Sequence, residues 1–227
     1  MKKKTSKRYR KLLETLKERK LETIETAIQK VKKNCTSKFD ESVDVSLILN
    51  LKSKKEEVNL RTIVNLPNGN GKKIKVAVLC EDSKIQEAKN SGAEIAGSDV
   101  LINDITNGKI NFDKLVATPS MMPKMGKLGK ILGPKGLMPN PKLGTVTNDI
   151  KSTVNSIKTG QIEIKSDKDG NLSAGIGKKS FPDIKIKENF DELMQTVTKE
   201  KPNTIKGNFV LGAYLTSTMG VSYKIKI

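Results

Sequence analysis

Residues 74–117, IKVAVLCEDSKIQEAKNSGAEIAGSDVLINDITNGKINFDKLVA, decide the fold. Residues 74–80 are an apolar, Val-rich run of the length a buried strand needs. Asp82-Ser83 supplies oxygens that can cap a helix running to about Ser91. Beyond Gly92, residues 93–96 read as a short strand. Ser98 or Asp99 caps a second helix ending at Asn107-Gly108, and Leu115-Val116-Ala117 is a third strand. Strand, helix, strand, helix, strand predicts a small parallel sheet with helical crossovers.

Outward from this block the pattern changes on both sides. Residues 1–34 read as helix with basic ends; Leu21, Ile24, Ala27, Ile28 and Val31 recur at three- and four-residue steps. Val43, Val45, Leu47 and Leu49 then alternate with Asp44, Ser46 and Ile48, as in a half-buried strand. A second strand at 58–66 ends in the turn cluster Pro67-Asn68-Gly69-Asn70-Gly71, so this flank reads as a helix and a two-stranded ribbon. On the far side Ile162 and Ile164 alternate, residues 167–171 form a hairpin turn, and residues 172–176 return. A helix at about 189–199 stops at Lys201-Pro202, and residues 208–215 and 221–227 close the chain as strands.

Neither flank holds enough elements for a core alone, but together they make a sheet with two helices. The expected fold class is therefore α/β (α+β) with two domains. Residues 1–66 and 159–227 form a discontinuous sheet-plus-helices domain. Residues 67–158 form a small parallel-sheet, three-layer, Rossmann-like α/β domain inserted into it. The crossings at Leu66, Pro67, Thr159 and Gly160 are then a double hinge.

Composition narrows the function. The chain has 227 residues, 43 Lys+Arg against 25 Asp+Glu, and a formal charge of +18. With 4% aromatic residues and no Trp, its cores must be built from Ile, Leu and Val. No run approaches the roughly 18–20 apolar residues of a membrane span. Residues 1–11 are charged with no hydrophobic region behind them, unlike a secretory signal. Cys35 and Cys80 match no zinc or redox spacing and read as free, partly buried thiols of a cytoplasmic protein. The chain has no histidine, which excludes Ser-His and Cys-His nucleophiles and imidazole metal sites. Neither a metal nor a cofactor is expected.

The positive surplus attracts polyanions. Residues 1–33 hold 13 basic and 4 acidic residues, and residues 68–158 hold 14 and 8, so the charge is not confined to a tail. Only Arg8, Arg10, Arg19 and Arg61 are arginines. Lys suits phosphate contact, whereas bidentate reading of guanine leans on Arg; the bias points to recognition of a folded shape. A Lys-favouring codon bias explains the ratio equally well, but not the net charge.

Two segments stand out. Residues 119–144, PSMMPKMGKLGKILGPKGLMPNPKLG, hold five of eight prolines, four of seven methionines, five lysines and no acidic residue. They contain no Walker pattern and no GxGxxG after a strand, so a nucleotide site is unsupported. Met121, Met122, Leu128, Ile131, Leu132, Leu137 and Met138 argue for an ordered basic loop that packs the inserted domain or holds RNA phosphates. The second candidate is a pair of segments, Lys38-Phe39-Asp40-Glu41-Ser42 and Thr216-Ser217-Thr218-Met219-Gly220. Hydroxyls, a Gly that admits close backbone approach, and an exposed Phe and Met suit sugar, phosphate and unstacked base. On these residues alone, a plain hairpin turn with core anchors is the favoured reading.

KFDESV (38–43), LPNGNGK (66–72), KLGKILGPKGLMPNPKLGTV (127–146), GQIEIKSDKDG (160–170), KPNTIKG (201–207) and TSTMG (216–220) together resemble the bacterial ribosomal protein L-one family. The resemblance runs from about Lys7 to the C-terminus. It implies two α/β domains joined by a hinge, and a first domain bound to large-subunit rRNA in the mobile stalk. It also implies contact with exit-site tRNA and repression through the protein's own operon mRNA, with no catalysis and a free protein that is monomeric. Carried over by position, Lys38, Phe39 and Ser42 fall on the RNA-contacting strand start. Thr216, Ser217, Thr218, Met219 and Gly220 fall on a threonine-rich turn, where Ser217 replaces a usual Thr. Thr62 and Asn68 depart from the Gly and His common in the family, near the expected hinge. The rival readings are a DNA-binding regulator and a small-ligand enzyme using the inserted sheet.

Overall fold

The computed structural model describes residues 5–14, 16, 21–50, 60–202, 205 and 207–227. In chain order the first elements are α1 (Lys7–Glu14), α2 (Ile24–Lys33), β1 (Ser42–Leu49), β2 (Arg61–Asn65) and β3 (Val76–Leu79). Then come α3 (Ile85–Asn90), β4 (Ile95–Gly97), α4 (Asp99–Thr106), β5 (Lys114–Ala117), α5 (Met122–Met125) and α6 (Gly129–Leu132). The chain continues with α7 (Ile150–Thr159), β6 (Gln161–Lys165), β7 (Asn171–Lys178), α8 (Asp183–Lys199), β8 (Val210–Ser217) and β9 (Tyr223–Ile225). These form two compact units, Met1–Gly71 with Ile162–Ile227, and Lys72–Gln161.

The first unit is built on a four-stranded antiparallel sheet in the order β7-β1-β8-β9. In β1 the alternation is realised: Val43, Val45, Leu47 and Leu49 are buried, their neighbours half-exposed. That inner face packs on Ala27, Ile28 and Val31 of α2 and on Phe190, Leu193 and Val197 of α8. The expected ribbon of two consecutive strands does not form. β1 pairs with β7 and β8 on its two edges, while β2 joins β6 in a separate two-stranded sheet. Residues 58 and 59 of the expected second strand lie outside the described residues, as do residues 203, 204 and 206 of the 201–207 motif. The turn at 167–171 therefore moves the chain from one sheet to another. Its flanks meet only at a Ser166–Leu172 bridge, and the Asp167 carboxylate accepts hydrogen bonds from the Asp169 and Asn171 amides.

Several boundaries differ from the sequence reading, among them the strands read at 93–96 and 208–215, which span Ile95–Gly97 and Val210–Ser217. The opening segment holds two helices rather than one; Leu21 lies outside them and is exposed, and Thr23 caps α2. α8 starts at Asp183, six residues before the expected Asn189. Ile184-Lys185-Ile186-Lys187 has a strand-like period, but Ile186, Phe190, Leu193 and Val197 recur at helical steps and are all buried. The last strand is confined to Tyr223–Ile225.

The second unit is a three-stranded parallel sheet in the order β4-β3-β5. Strand β3 is buried on both faces, as its unbroken apolar run requires. Ala77, Leu79, Leu115 and Ala117 pack on one side with Leu101 and Ile105 of α4 and with Met121, Met125, Leu128 and Leu132. Val76, Val78 and Val116 pack on the other with Ala88 near α7 residues Ile150, Val154 and Ile157. The result is three layers of mixed helix and strand. Residues 119–144 are thus ordered, folded as short helical turns whose apolar side chains complete one of those layers. The expected cap does not form: residues 82–84 make a 3-10 turn, and Asp82 accepts a hydrogen bond from Ser98 Oγ instead (2.6 Å).

Candidate nucleic-acid interface

The start of β1 and the end of β8 are antiparallel neighbours, with Val43 opposite Ser217 and Asp44 opposite Thr216. This pairing brings together two segments more than 170 residues apart. The Ser42 amide donates to Thr218 Oγ1 (3.0 Å), and the Thr218 amide donates to the Ser42 carbonyl (3.1 Å). A Gly220 N–H to Ser217 carbonyl bond (3.1 Å) closes the turn.

Exposed at this end of the sheet are Lys38, Phe39 (53% exposed), Thr218 and Met219 (47% exposed), together with Thr36 and the acidic Asp40. Large apolar side chains so exposed beside a lysine offer stacking or packing surface next to a phosphate partner. Ser42, Thr216 and Gly220 are half-buried. Ser217 points inward at 3% exposure, so its hydroxyl faces the protein. Gly220 lies outside the left-handed region, so its backbone conformation does not by itself demand glycine. Its constraint is steric, because a Cβ there would lie 2.3 Å from Ser217 Oγ.

Two residues shape this surface in ways sequence reasoning did not assign: Glu41, named there only as part of the 38–42 segment, and Arg8. Glu41 is fully buried. Its Oε1 accepts from the Ser37 amide (3.1 Å) and its Oε2 from the Met219 amide (3.1 Å). Burial pushes this carboxyl up, but the nearby Ser217 hydroxyl and these amides outweigh it and hold Glu41 below the usual carboxylate value. Ser217 Oγ itself makes no well-formed hydrogen bond. The period of β1 could have revealed Glu41: two residues before Val43, it falls on the inward face. Arg8 of α1 is the second. Its guanidinium donates to the Met219 carbonyl (2.7 Å) and to Thr36 Oγ1 (2.9 Å). No pattern in the sequence links α1 to a turn 211 positions away. Cys35, nearby, is a free buried thiol whose pKa burial raises; Cys80 is likewise free and buried.

The expected crossing residues are placed as follows. Leu66 is buried in the first unit's core, and Pro67 is exposed on the turn after β2. That turn is held by Asn189, fully buried in α8. Asn189 Nδ2 donates to the Gly69 and Ile176 carbonyls, and its Oδ1 accepts from the Asn68 amide. Thr159 ends α7, and Gly160 caps it with a positive φ of 131°. Among the described residues no acidic or cysteine cluster could hold a metal ion, and no helix is long and apolar enough to cross a membrane.

A model of the Ribosomal protein L1p/L10e family matches residues 31–221. The chain is 56% identical over 223 residues to the large ribosomal subunit protein uL1 of Pelagibacter ubique (strain HTCC1062), covering 98% of this chain and 97% of that protein. It is 44% identical over 224 residues to the protein of the same name from Synechococcus sp. (strain WH7803), covering 99% and 95%.

Proposed function

This chain belongs to the Ribosomal protein L1p/L10e family, and from that premise we propose that it is a structural, non-enzymatic constituent of the large ribosomal subunit that binds large-subunit rRNA. It acts in the cytoplasm as a ribosome-bound protein. The observation that carries the RNA-binding reading is the juxtaposition of Lys38, Phe39 and Ser42 with Thr216, Thr218, Met219 and Gly220 at one end of the sheet. Two exposed apolar side chains and several hydroxyls sit there on a chain of charge +18. Lysines supply phosphate attraction, and the Phe39 and Met219 surfaces supply contact with sugar or base faces.

In this reading residues 1–66 and 159–227 carry the specific recognition. The inserted 67–158 domain moves about the hinge at Leu66, Pro67, Thr159 and Gly160. As part of the mobile stalk the protein assists release of exit-site tRNA, and it represses its own operon by binding a similar mRNA structure.

The test is an electrophoretic shift with the stalk region of large-subunit rRNA, in competition with duplex DNA and unstructured single strands. The stalk RNA should win, and log affinity should fall linearly with log salt by several units. The per-phosphate slope is about −0.9 for B-DNA and −0.7 for single strands. Preference for duplex DNA would support a DNA-binding regulator instead. Affinity that is flat in salt would overturn the lysine-phosphate argument.

A further inference from the structure

We propose that Glu41 is a positioning residue for RNA binding: its buried carboxylate holds the 37–42 and 216–220 segments in one arrangement by accepting the Ser37 and Met219 amides. This inference rests on the RNA-binding reading of those two segments.

A carboxylate at the centre of a surface built for a polyanion is paradoxical if it acts through its charge. Its placement resolves the paradox. Glu41 is fully buried, so it presents no oxygen to a ligand, and each carboxylate oxygen takes one backbone N–H from a different segment. The two N–H donors are part-buried, and ionised acceptors make the stronger bonds to them. Glu41 also uses its own backbone: its carbonyl accepts the Lys179 amide, tying the end of β7 to the same spot (2.8 Å). The neighbouring charges are engaged elsewhere. Lys179 Nζ donates to the Cys35 carbonyl (2.8 Å), and Asp40 accepts from the Ser180 amide and hydroxyl. The Met219 peptide is thus gripped on both sides, its N–H by Glu41 and its carbonyl by Arg8. That grip fixes where the Met219 side chain projects. Phe39 lies between Ser37 and Glu41 in sequence, within the short loop that the Ser37–Glu41 bond closes.

Charge and positioning predict opposite signs, which makes the inference testable. Glu41→Gln removes a negative charge beside a polyanion site, so a purely electrostatic role would leave binding unchanged or tighter. A positioning role weakens it, because the amide retains only one acceptor oxygen for two N–H donors. The experiment measures affinity of wild type, Glu41→Gln and Glu41→Ala for stalk-region rRNA across salt, together with amide hydrogen exchange. We expect Glu41→Gln to bind several-fold weaker and Glu41→Ala at least tenfold weaker. The salt slope should be unchanged, and the Ser37 and Met219 amides should exchange faster while β1 core amides do not.

Equal or tighter binding by Glu41→Gln overturns the inference. So does weaker binding with both amides still protected, or a loss that merely tracks the fraction unfolded. Should Glu41→Ala not fold, Glu41→Gln carries the test alone. A wild-type protein that ignores the stalk RNA would overturn the RNA-binding reading itself; protection of the two amides would still report whether the clamp exists.

Discussion

Met219→Ala separates an RNA platform from an ordinary turn. In the folded protein the Met219 backbone is held by Glu41 and Arg8, contacts that do not involve its side chain. Truncation therefore leaves the turn's hydrogen bonds in place. Fully burying a Met side chain is worth about 1.5–3 kcal/mol. With 47% of Met219 exposed, truncation removes at most about half of that, roughly 1 kcal/mol. In a protein of this size that corresponds to a fall in melting temperature of about 2–4 °C. Loss of a stacking contact with a base costs about 1–3 kcal/mol, a five- to 150-fold weaker complex. The expected result is binding to stalk-region rRNA weakened tenfold or more, with a melting temperature no more than about 4 °C lower. Equilibrium shifts at two salt concentrations and a calorimetric melt read both quantities on one preparation. Normal binding would make Met219 a neutral turn residue, and collapse of the first unit would make it a core residue. Either outcome refutes the carry-over of an RNA role to this position.

Asn189→Ala should destabilise the first unit by about 3 kcal/mol or more, since it strips hydrogen bonds from the Gly69 and Ile176 carbonyls and the Asn68 amide. The expected drop in melting temperature is roughly 6–12 °C, and an unchanged melt would show that the 67–71 turn is held by other contacts. The Glu41 carboxyl is held below its ordinary value in the folded protein, so its contribution is complete above the unfolded carboxyl pKa of about 4.3. That contribution is lost as pH falls through the lowered folded value. The stability gap between wild type and Glu41→Gln should therefore be constant from pH 7 to 5 and narrow progressively in more acidic buffer; a gap that does not narrow at all below the unfolded value would contradict this. Gly220→Ala forces the buried Ser217 Oγ away from the added Cβ and from Glu41, so it should cost about 1 kcal/mol in stability. Gly220→Val also places bulk where a ligand would approach, and should weaken RNA binding more than Met219→Ala does; equal binding by both glycine variants would argue against close approach at this turn.

The chain's local patterns were enough to read its element types and its mixed α/β class. The Val-rich run at Val76–Leu79 is apolar without alternation because both faces of β3 are covered, whereas β1 alternates because only one face is. The apolar content of residues 119–144 marked them as packed despite their prolines and glycines, and Met121, Leu128 and Leu132 of that set are buried. Such signals are short-range: each residue's periodicity or turn chemistry is written within a dozen neighbours. The candidate RNA segments were singled out through the family resemblance of motifs of five or six residues, whereas their own composition favoured a plain turn. Strand partnership was not. β1 could have paired with β2, its next strand, yet its edges are taken by β7 and β8, more than 120 positions away, because that arrangement puts its apolar face against both α2 and α8. Boundaries set by tertiary burial were also hidden, as where helical packing of Ile186 overrides the strand-like period at the start of α8. Hidden most completely were the polar anchors. Glu41 with Met219, Arg8 with Met219 and Asn189 with the 67–71 turn are pairings across 120 to 211 positions. Each joins groups that meet only once distant segments have folded together, so no local pattern encodes them.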